Sequence, residues 1–354
     1  MNSVLFSCET WLGSCGRSFR EALVRQGVRV DDMAEEAFFP KWTDPRLRIL
    51  VRTTHRMIVR EFQDAIVGRA ERLRPRAIIA YKGTYVASET LHRLRELGIR
   101  TINIYPDVNP LAHGKVLAES MGEYDLVVST KSWHPNAWRQ MFGYRNRCVF
   151  IPHGYDPSLH FVPIEGLAAS CDVSMVATYR PEYGRMIEAL AREPGMADVS
   201  FRLFGNGWQR LRRFLPSRWV ICGPVSGLEY PEVVRHARVL VAPLTRAVTV
   251  GGRAYPGDED TTRTYELPAM GAFVIHRRTE RARSLFDEDS EMPMFDSPQE
   301  LAEQIRRGLA DPDRREAMRR RAQERAVPRD SLDNRAAEFI GILKREGLAD
   351  LTGG

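Results

Sequence analysis

Short apolar runs alternate along this chain with longer segments whose apolar residues recur every three or four positions, the rhythm of strands alternating with helices. Ser3 to Cys8 reads as a strand, followed by the small-residue stretch Gly13, Ser14, Cys15, Gly16 and by Phe19, Ala22 and Leu23 at helical spacing before Gly27. Ile49 to Arg74 is an acid-poor, Arg-rich helical stretch with Met57, Ile58, Phe62, Ile66 and Leu73 on an apolar face. Then come a strand at Ala77–Tyr81, a helix at Val86–Leu97, strands at Thr101–Tyr105 and Tyr124–Ser129, a helix at Trp133–Phe142 and a strand at Cys148–Ile151. A second series begins at Asp172–Ala177 and continues with strands at Val199–Phe204, Trp219–Cys222 and Val239–Pro243, a helix at Tyr230–His236, and an apolar run Phe273, Val274, Ile275. Pro298–Leu309, Asp313–Arg325 and Arg335–Leu343 close the chain as helices. The pattern predicts an α/β protein with two successive Rossmann-like doubly wound units.

The stretch from Ile151 to Pro163 has prolines at both ends and Gly154 within, and is the best boundary in the sequence. At 354 residues the chain is comfortable for two domains, each with its own core. The expected division is 1–158, 159–330 and a final helical segment 331–354. The stretch Thr245 to Thr262, with three glycines, is expected to be a long mobile loop.

Composition narrows the class. No run approaches the ~18 apolar residues a membrane helix needs, and the start lacks the basic segment of a secretory signal. Five scattered cysteines form no C-x-x-C pair, which suits thiols in a reducing compartment and a cytoplasmic location. The net charge is +6, with five lysines (Lys41, Lys82, Lys115, Lys131, Lys344) and 47 arginines among the 52 basic residues. They are spread without a compact patch, and no nucleic-acid-binding module is visible. The basic helical stretch 49–74 fits either a core-facing helix with a solvated side or a peripheral membrane contact.

Candidate chemistry concentrates in Asp258–Glu280, an acidic, hydroxyl-rich loop feeding a short segment that starts at Glu266, then a small-residue turn and a buried strand. A helix end offers N–H groups and partial positive charge to a phosphate. A carboxylate there is better suited to accept hydrogen bonds from sugar hydroxyls, so Glu266 with Thr261, Thr262 and Arg263 suits a nucleotide sugar. The alternative is an ordinary helix capped by Thr261 or Thr262, its acids solvated. In the first half, Asp107 and His113 follow a strand of a parallel sheet, where such sheets hold ligands. The G-x-x-G stretch Gly13, Ser14, Gly16 fits a phosphate or acceptor loop or a plain tight turn, and no acid stands where a dinucleotide enzyme places one after its second strand.

Arg263-Thr-Tyr-Glu266-Leu-Pro-Ala-Met-Gly-Ala-Phe273 resembles the C-terminal signature of GT-B glycosyltransferases, most closely the CgeB-like (spore-maturation type) branch. The resemblance implies a GT-B fold with acceptor and donor domains facing across a cleft, and a C-terminal helix crossing back to the first domain. It also implies transfer of a hexosyl-type sugar from a UDP-, GDP- or dTDP-linked donor to a small-molecule, glycan or protein acceptor, without a metal or other cofactor and with retention. Glu266 becomes the ribose ligand, and Asp258, eight positions earlier where the wider families carry glutamate, the partner of the transferred sugar. Ile151-Pro-His-Gly-Tyr-Asp156 resembles the interdomain join of such enzymes, placing His153 in the cleft. Thr178 to Arg185 resembles their strand-loop-arginine element, with Arg185 or Arg180 as a fork for two phosphate oxygens or as a surface salt bridge. Gly205-Asn-Gly207-Trp resembles a donor-side glycine loop, and Val225 falls in the loop that meets the base. Inversion would instead need a general base such as Asp107 or His113. Asp258-Glu259-Asp260 also has the D-x-D form of metal-gripping GT-A enzymes, which two hinged α/β units argue against. The competing functions are a nucleotide-sugar epimerase on the same scaffold and a non-catalytic nucleotide-sugar or glycan-binding module. The number of subunits does not follow from the sequence.

Overall fold

The computed structural model describes residues 3–39, 47–160 and 169–348, side chains of 47–53 excepted; the end of the expected boundary stretch, at Pro163, lies outside them. Contacts divide the chain into two units. One is Met1–Pro152 with Thr249–Tyr255 and Leu332–Gly354, the other His153–Val248 with Pro256–Ser331.

The first unit runs β1 (Ser3–Cys8), α1 (Cys15–Arg25), β2 (Arg29–Ala34), α2 (Leu47–Leu73), β3 (Ala77–Tyr81), α3 (Ser88–Glu96), β4 (Arg100–Tyr105), α4 (Lys115–Ser120), β5 (Leu126–Ser129), α5 (His134–Phe142) and β6 (Arg147–Phe150). Its sheet has the order β2-β1-β3-β4-β5-β6, every pair parallel. A parallel sheet is covered on both faces, so its central strands read as unbroken apolar runs. Side chains alternate accordingly: Val4, Phe6, Ile79 and Ile104 pack with Phe19 of α1 on one face. Leu5, Ile78 and Val127 pack with Phe62 and Leu91 on the other.

Two expectations change here. β2 reads Arg-Val-Asp-Asp-Met-Ala with only Met33 buried; as an edge strand it needs no apolar run, which hides it from a pattern search. Glu35 and Glu36 follow β2 directly, so acids do stand after the second strand. Their roles are internal: Glu36 accepts from Thr10 N at 2.8 Å, and Glu35 from Ser7 Oγ at 3.2 Å. In α2 the buried stripe is Phe62, Ile66, Val67 and Ala70, while Met57 is 72% exposed. Met57 and Phe62 are five positions apart, about 140° around a helix, so Met57 falls off the apolar face.

The chain continues with β7 (Cys171–Val176), α6 (Pro181–Leu190), β8 (Phe201–Phe204), β9 (Trp219–Cys222), α7 (Glu229–Arg235), β10 (Ala237–Ala242), β11 (Ala247–Val250), β12 (Arg253–Pro256), α8 (Thr262–Ala269), β13 (Val274–Arg277), α9 (Glu280–Leu285), β14 (Met294–Phe295), α10 (Pro298–Ala310) and α11 (Pro312–Arg329), all of which but Thr249–Tyr255 of the β11–β12 hairpin belong to the second unit. Its sheet order is β14-β13-β10-β7-β8-β9, again all parallel. The final helix, α12 (Leu332–Arg345), belongs to the first unit, where Phe339 meets Phe19 edge to face at 5.6 Å. The expected Thr245–Thr262 loop contains the hairpin β11–β12, turned at Gly251 (φ 56°) and Gly252 (φ 80°). A two-residue hairpin turn takes positive φ at both central positions, which glycine adopts freely.

Candidate functional site

In an open parallel sheet the ligand crevice lies at the carboxyl edge, where the strand order reverses. In the second unit that point falls between β7 and β10, whose exit loops are Ala177–Arg180 and Pro243–Arg246. The β7 loop is tightly built: Trp208 Nε1 donates to Ala177 O at 2.6 Å and Tyr179 N to Asn206 O at 2.8 Å. Gly205, at φ 129°, would place a Cβ 2.2 Å from Ala177 O, and Gly207 one 2.9 Å from the Tyr179 Cβ. The close approach these glycines permit is therefore between neighbouring loops.

After the hairpin, the acidic segment is tied down at successive residues. Gly257 N donates to Arg246 O at 3.0 Å and Asp258 N to Thr245 O at 2.8 Å; Thr279 Oγ1 donates to Glu259 O at 2.7 Å. Asp260 is fully buried and accepts from Tyr265 Oη at 2.6 Å and Arg281 Nε at 3.4 Å. Asp260 is thus committed to holding the loop on α8 and α9, and the D-x-D does not act as one chelating pair. Among the described residues no group of acid, histidine and cysteine side chains forms a metal site. Asp258 instead lines a cavity of about 370 Å³ with Leu244, Arg246, Arg277, Thr279 and Asp296, among others.

α8 begins four residues before Glu266. Thr261 is the N-cap, its N–H donating to Thr264 Oγ1 at 3.1 Å, so the capped-helix reading holds for the helix start. Glu266 sits in the second turn, because Thr264 and Tyr265 already pack inward. The helix ends at Gly271 (φ 70°) in a Schellman turn: Ala272 N donates to Leu267 O and Gly271 N to Pro268 O. That turn sends Phe273 and Val274 directly into β13, which explains the small-residue run.

A buried relay fixes α8 on β13. Thr264 Oγ1 meets His276 Nε2 at 2.8 Å while His276 Nδ1 meets Arg277 O at 2.7 Å. A carbonyl only accepts, so Nδ1 carries the proton and Nε2 accepts from the threonine hydroxyl. Burial pushes the His276 pKa down to about 3, with the Arg263 charge adding to it, so the ring is neutral.

Glu266 is 8% exposed, and no hydrogen bond within the described chain reaches its carboxylate. Its neighbour is His160, also buried, with Nε2 4.0 Å from Oε1. With no donor among the described residues in reach, both oxygens stay able to accept hydrogen bonds. Arg263 is held by Pro243 O at 3.1 Å. Arg180, at the N-cap position of α6, and Arg185 within α6 are exposed, and among the described residues no acid engages either guanidinium. Thr262 is the first residue of α8, and Val225 is half-buried in the loop after β9. His153 is buried, and its neighbour Tyr155 packs back on α11, donating to Val327 O at 2.7 Å.

In the first unit the order reverses between β1 and β3. The β1 loop closes at Gly13 (φ 94°), and Ser14 caps α1 by accepting from Arg17 N at 3.1 Å. Gly16 lets α1 approach the sheet, since a Cβ there would stand 2.7 Å from that of Cys8. Asp107 and His113 meet: His113 Nε2 is 3.2 Å from Asp107 Oδ2, and Lys82 Nζ is 2.7 Å from the same oxygen. Burial raises the Asp107 pKa, but His113 and Lys82 outweigh it and hold the carboxyl well below its usual range. His134 Nε2 bonds Val108 O at 3.0 Å and its Nδ1 meets Ser129 Oγ, which pins the Asp107 loop to β5. Burial pushes the His134 pKa down to about 3.

Asp258 and Glu266 are not brought into contact, and Glu266 does not line the Asp258 cavity. Sequence reasoning passed over Lys82, His134, His160 and His276, and took Asp260 only as part of a D-x-D. Only Lys82 carried a signal, as a rare lysine in an arginine-rich chain.

Residues 180–341 match a family model described as glycosyl transferase-like, which covers under half of the chain. Among curated proteins no sequence matches. Sucrose-phosphate synthase from Thermosynechococcus elongatus superposes with a TM-score of 0.68 at 15% identity, over 98% of this chain and 99% of that one. HepE from Anabaena, solved with UDP-glucose, gives 0.65 at 17% identity over 97% and 99%. AviGT4, a glycosyltransferase of avilamycin A biosynthesis, gives 0.60 at 14% over 97% of each chain. Likeness at these identities speaks for architecture: the chain has the GT-B fold, two Rossmann-like units in succession, with a glycosyl transferase-like segment in the second.

Proposed function

We propose that this protein is a GT-B glycosyltransferase that moves a sugar from a nucleotide-diphosphate sugar to an acceptor. The observation that carries the reading is Glu266, a buried carboxylate that no donor among the described residues reaches, in the second turn of a helix at the carboxyl edge of the second sheet. Glu266 accepts the ribose hydroxyls. The first-turn N–H groups of α8 with Thr261, Thr262 and Arg263, and Arg180 and Arg185, which no acid among the described residues engages, hold the diphosphate and offset the charge developing on the leaving group. Asp258 takes the transferred sugar, and the loops of Gly205, Gly207 and Val225 border the base. The first unit holds the acceptor through the Gly13–Gly16 loop and the Asp107–His113 pair, and His153, at the start of the second unit, adds to the acceptor side. Retention without a metal follows the resemblance of Arg263–Phe273 to the CgeB-like branch. The HepE structure supports a uridine nucleotide as the first donor to try. A thermal-shift screen with UDP, GDP, dTDP and CMP, followed by labelled nucleotide sugars, tests the proposal. Transfer or slow donor hydrolysis supports it; interconversion of the sugar would make the protein an epimerase, and binding without turnover a recognition module.

A further inference from the structure

Lys82 follows β3 at the reversal point of the first sheet, in a left-handed backbone conformation (φ 66°) that, among the described non-glycine residues, only Arg74 shares. The conformation is built in. Lys82 N donates to Ile104 O at 2.7 Å, Asn103 Nδ2 donates to Lys82 O at 3.0 Å, and Gly83 (φ 71°) continues the turn against the Tyr124 hydroxyl. Glycine would occupy such a position without strain, and a non-glycine residue there points to a side chain that matters. The residue is also a lysine in a chain with 47 arginines and five lysines. An ammonium is a compact point charge that meets one oxygen, whereas a guanidinium spreads over two.

That single-oxygen geometry is what the site shows. Lys82 Nζ and His113 Nε2 converge on the same Asp107 oxygen, at 2.7 and 3.2 Å. We propose that Lys82 is a positioning residue of the first unit's site: it anchors the Asp107 carboxylate so that Asp107 orients the His113 ring toward an acceptor hydroxyl. The inference rests on the reading that the first unit binds the acceptor. It divides the labour of Asp107 and His113, since a carboxylate oxygen that already meets the Lys82 ammonium and a His113 ring nitrogen is a poor proton acceptor. The His113 ring nitrogen not paired with Asp107 is then the atom that meets the acceptor hydroxyl. The titratable neighbours of the cluster are Tyr81 on β3 and, through Lys82, Glu35 after β2.

The test reads Asp107 directly and needs no ligand. In the full chain labelled with ¹³C-aspartate, the Asp107 carboxyl signal, assigned by its loss in Asp107→Asn, is followed through an acid titration. In the wild type it stays ionised below the usual carboxylate range. Lys82→Met should move its midpoint up to about 4 or above, while Lys82→Arg should hold it low. Should Lys82→Met fail to fold, His113→Asn serves: with Lys82 alone remaining, the midpoint must still lie below that of an unpaired aspartate. An unchanged midpoint in Lys82→Met, or an ordinary one in His113→Asn, overturns the proposal. A wild-type protein that no nucleotide stabilises would count against the glycosyltransferase reading, and the Asp107 titration would still decide the role of Lys82.

Discussion

His160 points its Nε2 at Glu266 from 4.0 Å, and the rest of its ring explains why. Nδ1 accepts the Asp156 N–H at 3.1 Å, so the proton of a neutral ring must sit on Nε2. At 4.0 Å this is no hydrogen bond, and the carboxylate oxygens stay able to accept. The rim of Tyr230 meets the imidazole at 5.7 Å and holds it in place.

Glu266→Gln is therefore expected to weaken nucleotide binding while sparing the fold. Hydrogen bonds to a charged group contribute about 1.5–3 kcal/mol, so the dissociation constant for the nucleotide found in the screen should rise about 10- to 100-fold. Isothermal titration of wild type and variant checks this. Equal affinities would remove Glu266 from the donor site.

Acid should destabilise the protein from about pH 6.5 downward. His134 and His276 are neutral in the fold, their pKa values pushed down to about 3 by burial, while in the unfolded chain they protonate near 6.5. Between those values the unfolded state binds more protons, so stability falls as pH falls, by roughly 1 kcal/mol per pH unit for each ring. Glu35 opposes them. Burial lifts its pKa to about 7, so from 7 down to about 4.5 the folded state takes up a proton the unfolded state lacks. The net slope should be about one ring's worth between pH 6.5 and 4.5 and steeper below, where Asp107 adds in the same sense. Urea unfolding at pH 7, 6, 5 and 4 measures it; a flat profile would mean that the rings are charged in the fold.

What could be read in the sequence was whatever one element sets by itself. β1 and β3 stand at the expected residues because both faces of a central parallel strand are apolar, or nearly so, and β9 does because Trp-Val-Ile-Cys is an apolar run although the strand lies at the sheet edge. β2 and the β11–β12 hairpin escaped because Arg29–Ala34 and Ala247–Pro256 carry no such run. Glu266 was legible through its motif, and Asp107 and His113 through their place after a strand. Lys82, His160 and His134 were not, since each acts on a residue from another element, and local pattern carries no information on which loops the sheet order brings together.

Gly257→Ala should disturb the Asp258 loop more than a methyl group suggests. A Cβ there would stand 1.9 Å from Thr245 O and 2.5 Å from the Arg246 carbonyl carbon. Those are backbone atoms that cannot swing aside, and Thr245 O is the acceptor of the Asp258 N–H. The loop must move as a whole, so donor binding should drop at least about tenfold, with a stability loss of about 1–3 kcal/mol, the range for overpacking. Crystals of the variant should show Asp258 displaced; wild-type affinity with a displaced Asp258 would show that Asp258 does not touch the donor.

Glu35→Gln should stabilise the protein at alkaline pH. In the wild type the Glu35 carboxyl is raised to about 7, first by burial and then by the charges of Glu9 and Glu36, against the hydrogen bond from Ser7 and the charge of Lys82. A raised carboxyl contributes stability below its unfolded value of about 4.5 and loses it as pH rises through 7. Above pH 7 the fold must therefore hold an ionised carboxylate in a site that disfavours it, at a cost on the order of 3 kcal/mol. Glutamine keeps an oxygen to accept from Ser7 Oγ and carries no charge, so its melting temperature should exceed that of the wild type at pH 8 and the difference should vanish by pH 4. An equal difference at both pH values would mean that Glu35 ionises without penalty, and that the loop after β2 is open to solvent when the protein is in solution.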